Sequence, residues 1–187
     1  MSRASRRHHQ NSGRFPKWLF VAATLQAVAP ASSAEQRLAP RTTVVFEFEL
    51  LDTSLEGATT GTRPDERRRL DALDENLSRL LEAHGFSIVP LDATTSEKAQ
   101  RVHLYGCNGC EGDLAAAIGA EIAVTGLVQK VSNLILNITL VARDARSGQI
   151  LGTASADMRG NTDQTWSRAL DAAAVRLLEG SRAAAGP

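Results

Sequence analysis

"EIAVTGLVQKVSNLILNITLVARDARSGQILGTASADMR", residues 121–159, holds three alternating apolar and polar stretches separated by two turn signals. Leu134, Leu136, Ile138 and Leu140 fall on one face of an extended chain, and Asn137, Thr139 and Arg143 fall on the other. A period of two marks a strand, and a polar opposite face marks a sheet with only one side fully buried. Thr153, Ser155 and Asp157 repeat the logic in the last stretch. Ser132-Asn133 supplies a tight turn, and Asp144-Ala-Arg-Ser-Gly148 a longer one in which the glycine can take a positive φ. Residues 121–132, 133–144 and 149–159 therefore read as a β-meander.

Upstream, Thr42–Leu51 begins β-branched and continues with Phe46, Phe48 and Leu50 alternating against Glu47 and Glu49, which predicts a strand. Asp52 to Arg63 reads as a loop. Pro64 opens a helix whose Leu70, Leu73, Leu77, Leu80 and Leu81 recur at spacings of three and four until Gly85. Phe86–Leu91 is a short strand that Pro90 confines to an edge or an end. Residues 92–106 look irregular, with one helical turn around Ser96 to Arg101. A helix opening at Cys107-Asn-Gly-Cys110 then presents Leu114, Ala117 and Ile118 and stops at Gly119. The last helix starts at Asn161 or Thr162, with Gln164 as capping-box partner and Trp166, Leu170, Ala173 and Leu177 as its apolar face. The order β-α-β-α-β-β-β-α combines crossovers, which make parallel neighbours, with a meander, which makes antiparallel ones. The expected fold is α/β (α+β): a single domain, residues 42–180, with a mixed five-stranded sheet and helices mainly on one face.

Residues 1–34 read as a cleaved export signal. Arg3, Arg6, Arg7, Arg14 and Lys17 precede an apolar run, Trp18–Ala29, that is too short to span a bilayer. Ala-Ser-Ser-Ala34 offers small residues for cleavage before Glu35, and no cysteine follows that would carry a lipid. Residues 35–41 form a polar lead-in and 181–187 a flexible tail. Removing the signal takes five of 21 basic residues and none of 21 acidic ones, leaving 16 against 21. A mildly acidic domain without a basic run offers no electrostatic footprint for nucleic acid or an anionic membrane. No integral membrane segment is expected after signal cleavage.

Two levels of resemblance follow from longer phrases. "AAAIGAEIAVTGLVQ" and "LVARDARSGQIL" resemble the amino-terminal α/β domain of the periplasmic Tol-system propeller protein and the periplasmic domain of the curli secretion lipoprotein. That resemblance implies an assembly or interaction module. "VFEFELLDTSLEG", "CNGCEGDLA", "GLVQKVSNLILNITLVARD" and "DMRGNTDQTWSRALD" together resemble a family of small exported bacterial proteins of unknown function, which implies fold and export but no activity.

Cys107 and Cys110 are the chain's two cysteines. Glu111 stands where haem attachment needs a histidine, which removes that chemistry. An oxidising compartment favours a disulfide closing the turn. A redox pair at a helix start is the second reading, although Glu111 and Asp113 oppose a thiolate there. The third is a metal held by Cys107, Cys110 and His103. Elsewhere, Gln129, Lys130, Asn133, Arg159 and Asn161 gather polar groups at sheet ends and form a candidate binding rim for an acidic partner or anion. Turn chemistry and capping account for Asn133 and Asn161; Lys130 and Arg159 are less easily absorbed. No phosphate loop, paired catalytic carboxylate motif or nucleophile elbow occurs, so the expectation is a non-catalytic accessory or assembly protein without a cofactor. Its partner would be another periplasmic or envelope protein, and the alternative is a thiol-disulfide or metal-handling protein centred on the cysteines.

Overall fold

A computed structural model describes residues 38–180, so the signal, residues 35–37 of the lead-in and the tail lie outside the described residues. The meander is formed by β4 (Ile122–Ser132), β5 (Ile135–Asp144) and β6 (Ile150–Met158). Leu136, Ile138, Leu140 and Ala142 of β5, and Ala154, Ala156 and Met158 of β6, are buried on one face. The β4–β5 turn falls one residue later than the sequence suggests. Ser132 pairs with Ile135, so Asn133 and Leu134 form the turn and Leu134 leaves the apolar face for solvent.

The first strand is broken, which gives the sheet six strands in place of the expected five. β1 (Thr42–Val45) and β2 (Glu49–Asp52) both run parallel to β4, and β3 (Ser87–Ile88) lies beyond β1. The order is β3-β1-β4-β5-β6, with β2 paired to the later part of β4. The break arises because Phe46 and Phe48 are both fully engaged, but on opposite sides. Phe46 packs with Val44 and Ala123, whereas Phe48 joins the larger core. The Phe48 amide donates to Asp74 Oδ1 at 2.7 Å. Its ring also fills the space over Gly126, the only residue type that leaves room for it there.

Two helices occupy stretches expected to be irregular. α1 (Leu55–Thr60) is capped by Ser54, whose hydroxyl accepts from the Gly57 amide, and it ends at Gly61 with a positive φ of 66°. Its sequence, Leu-Glu-Gly-Ala-Thr-Thr, has no apolar period to betray it. α3 (Ala93–Val102) is capped by Asp92, buries Thr95 and Ala99, and extends in both directions the single turn expected around Ser96 to Arg101. α2 (Pro64–Ala83) and α5 (Asp163–Glu179) follow the expected pattern, burying Leu73, Leu77 and Leu81 from one and Trp166, Leu170, Ala173 and Leu177 from the other. At the start of α5, Thr165 and not Gln164 completes the capping box with Thr162.

α2 and α5 share one face of the sheet and build the main core with β4, β5 and β6. On the opposite face, α3, the 3₁₀ turn Leu104–Gly106 and α4 (Cys110–Ala117) cover the β1 side through Ala99, Leu104 and Ala115, so the helices divide between both faces where the expectation placed them mainly on one. α4 turns Ala115 inward and leaves Ala117 exposed, contrary to the expected face. Gly119, with φ of 81°, ends it as expected. Among the described residues no helix is long and apolar enough to cross a membrane.

Candidate functional site

At the end of the sheet where β2 and β4 finish, Lys130 is fully buried, so it is not part of an accessible rim. The physical reason is its register: it follows Ile122, Val124, Gly126 and Val128 along the inward face of β4, and α2 closes over it. Its Nζ lies 2.7 Å from Glu66 Oε1, 3.0 Å from Asp52 Oδ2 and 3.3 Å from Glu56 Oε2. Burial pushes the Asp52 and Glu66 carboxyls up. Hydrogen bonds from Ser54 and Lys130 to Asp52, and from Lys130, the Arg63 amide and Asn161 to Glu66, outweigh burial and hold both below the usual carboxylate range. Hydrogen bonds from Asn133, Arg63 and Lys130 do the same for Glu56. Burial alone would lower the Lys130 pKa, but the bonds to Glu66, Asp52 and Glu56 raise it to about 12.

This cluster ties four segments together. Gly57 lies so close to the Asp52 carboxyl that a Cβ there would sit 2.3 Å from Asp52 Cγ, which fixes α1 against β2. Asn133 Nδ2 donates to Glu56 Oε2 at 2.8 Å, holding the β4–β5 turn on α1. Asn161 donates to Glu66 Oε1 at 2.8 Å and Asn133 Oδ1 at 3.0 Å, while its own Oδ1 accepts from Trp166 Nε1 at 2.9 Å. Three of the candidate rim residues, Lys130, Asn133 and Asn161, therefore meet, as internal or semi-internal struts. Gln129 points outward beside them on β4, and Arg159 lies apart, in a groove with Arg168 and Arg176.

The sequence reading missed what the struts hold in place. Leu55, Val131, Leu134 and Ile135 are 84%, 52%, 73% and 58% exposed. Leu134 lies in the β4–β5 turn, Val131 and Ile135 flank it at the ends of β4 and β5, and Leu55 opens α1, which the Asn133–Glu56 bond attaches to that turn. Surface apolar residues are ordinary when scattered, whereas several large ones at one end of a sheet call for an explanation.

Cys107 and Cys110 form a disulfide. It closes the turn before α4, where Asn108 and Gly109 both take positive φ values, 52° and 118°. Glu111 Oε2 is 3.5 Å from the Cys107 sulfur, and its other oxygen accepts from Arg143 Nε at 2.5 Å. Cys107, Cys110 and Glu111 are the one group among the described residues with metal-ligand spacing. His103 stays outside it, its Nδ1 being 3.5 Å from Glu49 Oε1. Sulfurs joined to one another offer no thiolate, so the oxidised pair is a closed turn and not a metal site. A closed loop this short is expected to stabilise the fold by about 2 kcal/mol. The C107S/C110S variant should lose that amount in urea unfolding while keeping its far-UV circular dichroism.

A cleft of about 280 Å³ opens at the β1–β2 break, beneath α3 and the 3₁₀ turn Leu104–Gly106. It exists because β3 is two residues long and leaves the edge of β2 uncovered. Glu49 accepts from the Tyr105 amide at 2.8 Å, and Glu47 accepts from Ser96 and Gln100 at 2.7 and 2.6 Å. Behind the break, burial raises the Asp74 carboxyl to about 7, against the Phe48 amide, which lowers it, and with help from Glu47, Asp71 and Glu75. A folded-state pKa raised above the unfolded value means that the native state binds the proton more tightly. The associated stability is full below about pH 4 and is lost as pH rises through 7. Asp74→Asn, which keeps an acceptor for Phe48, should gain on the order of 2 kcal/mol over wild type between pH 5 and pH 8 in chemical denaturation.

The sequence model of a family described as "Protein of unknown function (DUF2380)" matches residues 41–176. No curated protein matches the chain. Among solved structures the chain is similar to lipoprotein GNA1162 from Neisseria meningitidis, with 18% identity, coverage of 76% of this chain and 99% of that one, and a TM-score of 0.45. It is similar to the LpoB C-terminal domain from Salmonella enterica, with 12% identity, coverage of 69% and 87%, and a TM-score of 0.43. For TolB from Acinetobacter baumannii the identity is 12%, the coverage 78% of this chain and 30% of that one, and the TM-score 0.42.

Proposed function

The chain belongs to that family of unknown function, and from this premise we propose that it is an exported, non-catalytic accessory protein that docks another protein of the periplasm or cell envelope. The observation that carries the reading is the apolar tip formed by Leu55, Val131, Leu134 and Ile135. The buried Lys130 cluster supports it: three carboxylates around one ammonium are a costly way to stabilise a fold, but they fix the turn and α1 in one relative position. A rigid apolar anchor loses little conformational entropy when a partner covers it, which is what a docking surface requires. The basic, apolar amino terminus of residues 1–34 supports export, and the Cys107–Cys110 disulfide suits the oxidising compartment it leads to.

Leu134→Glu tests the reading, because the side chain is exposed and its replacement leaves the core intact. Affinity capture from periplasm with wild type and L134E, both with unchanged thermal unfolding, should show a partner that the variant retains at least tenfold less. A partner captured equally by both proteins would remove the tip as the docking surface.

A further inference from the structure

The far edge of the sheet carries a surface of opposite character. The strand order ends at β6, so among the described residues no strand pairs with its outer side. The Ser155 carbonyl accepts from the Arg176 guanidinium across that edge, which shows that the backbone groups of Ser155 face outward. By the alternation of an antiparallel ladder, those of Thr153 and Asp157 face outward as well. An open groove of about 680 Å³ runs between this edge and α5, walled by Arg159, Arg168 and Arg176. Asp157 is its one acidic lining residue, and that carboxylate is engaged by Asn137 Nδ2 at 2.8 Å. Among the described residues none of the three arginines forms an ion pair. Three guanidinium groups without an ion pair beside one edge are conspicuous where residues 35–187 hold 16 basic and 21 acidic residues.

The geometry points to a strand-addition site on β6 for an acidic, extended segment of another protein. The segment's backbone would pair with Thr153 and Asp157 and displace the Arg176 guanidinium from the Ser155 carbonyl, and its carboxylates would meet Arg159, Arg168 and the released Arg176. Two copies of this edge would bring like charges together, so the same arginines disfavour pairing with a second copy of the chain. The inference rests on the interaction-module reading above but uses a separate surface.

The probe is the blocked peptide acetyl-Glu-Val-Glu-Val-Thr-Val-Glu-amide, titrated into the full chain labelled with nitrogen-15. Saturable shifts and slowed exchange at the Thr153, Ser155 and Asp157 amides are expected. Affinity should fall at least tenfold for R168E/R176E, for the same peptide with lysines in place of glutamates, and more modestly for R168Q/R176Q. Both positions are exposed on α5, and the neutral pair guards against any folding defect of the reversed pair. Absence of saturation, or equal binding of the lysine peptide, overturns the site. Shifts confined to Leu134 and Ile135 also overturn it, while leaving the docking tip standing. A failure of the L134E capture, in turn, leaves the β6 shifts unaffected.

Discussion

Lys130→Met is expected to destabilise the protein by about 3–5 kcal/mol at neutral pH, because it removes the cation from a fully buried carboxylate and leaves the rest of the cluster intact. Methionine matches the lysine stem in volume, so a packing defect is not the cause. Glu66 keeps the Arg63 amide at 3.0 Å and Asn161 at 2.8 Å, which soften the loss without supplying charge. The pH dependence separates this mechanism from a simple cavity. In the wild type Asp52 and Glu66 are held below their ordinary pKa values, so their contribution is present above about pH 4.5 and is lost as pH falls through the folded values. Without Lys130, only the Arg63 amide and Asn161 still oppose burial at Glu66, so its pKa rises and the variant should lose stability as pH rises. The difference between the two proteins should therefore be largest near pH 7 and shrink towards pH 4. K130M/E66Q should recover most of the loss, since an apolar chain beside a neutral amide leaves no bare charge on Glu66's site. Urea unfolding of the three proteins across that range is the measurement.

Gly126→Ala is expected to cost about 1–3 kcal/mol through overpacking. A Cβ at this position would lie 2.2 Å from Phe48 Cε1 and 2.3 Å from Cδ1, far inside van der Waals contact. Phe48 is buried in the main core, and its amide is held by Asp74, so the ring has little freedom to withdraw. Phe48→Leu shortens the obstructing group. G126A/F48L should consequently be more stable than the sum of the single losses indicates, a coupling that a double-mutant cycle in denaturant reads directly. Simple additivity would mean that Phe48 and Gly126 do not share this contact.

The meander and the two long helices were legible because their apolar periods, two in Leu136–Ile138–Leu140 and near 3.6 in Leu73–Leu77–Leu81, are set by burial against a single core. The break at Phe46–Phe48 was hidden in the same alternation. Phe46 and Phe48 share a parity that predicts one face, and only the tertiary contacts with Ala123 and Gly126 show that they serve opposite cores. α1 was missed because Ser54 caps it and none of its residues is buried, and α3 was read as a single turn around Ser96 to Arg101 although it starts at Ala93, capped by Asp92. For the site, Asn133 and Asn161 were read as polar groups at a sheet end, and the structure places them against Glu56 and Glu66. The inward direction of Lys130 was available from its parity with Val124 and Val128, but its charge argued for solvent. Its carboxylate partners come from 64 to 78 residues upstream, a pairing that no local pattern encodes.

The docking claim is tested most directly by photo-cross-linking in the living cell, with a photoreactive phenylalanine analogue placed in turn at Val131, Leu134, and the exposed Arg79 on α2. Val131 and Leu134 are expected to yield the same discrete protein adduct, abolished when Leu55→Glu is introduced alongside, whereas Arg79 yields none. Adducts of equal intensity from all three positions, or none from the tip, would contradict the account.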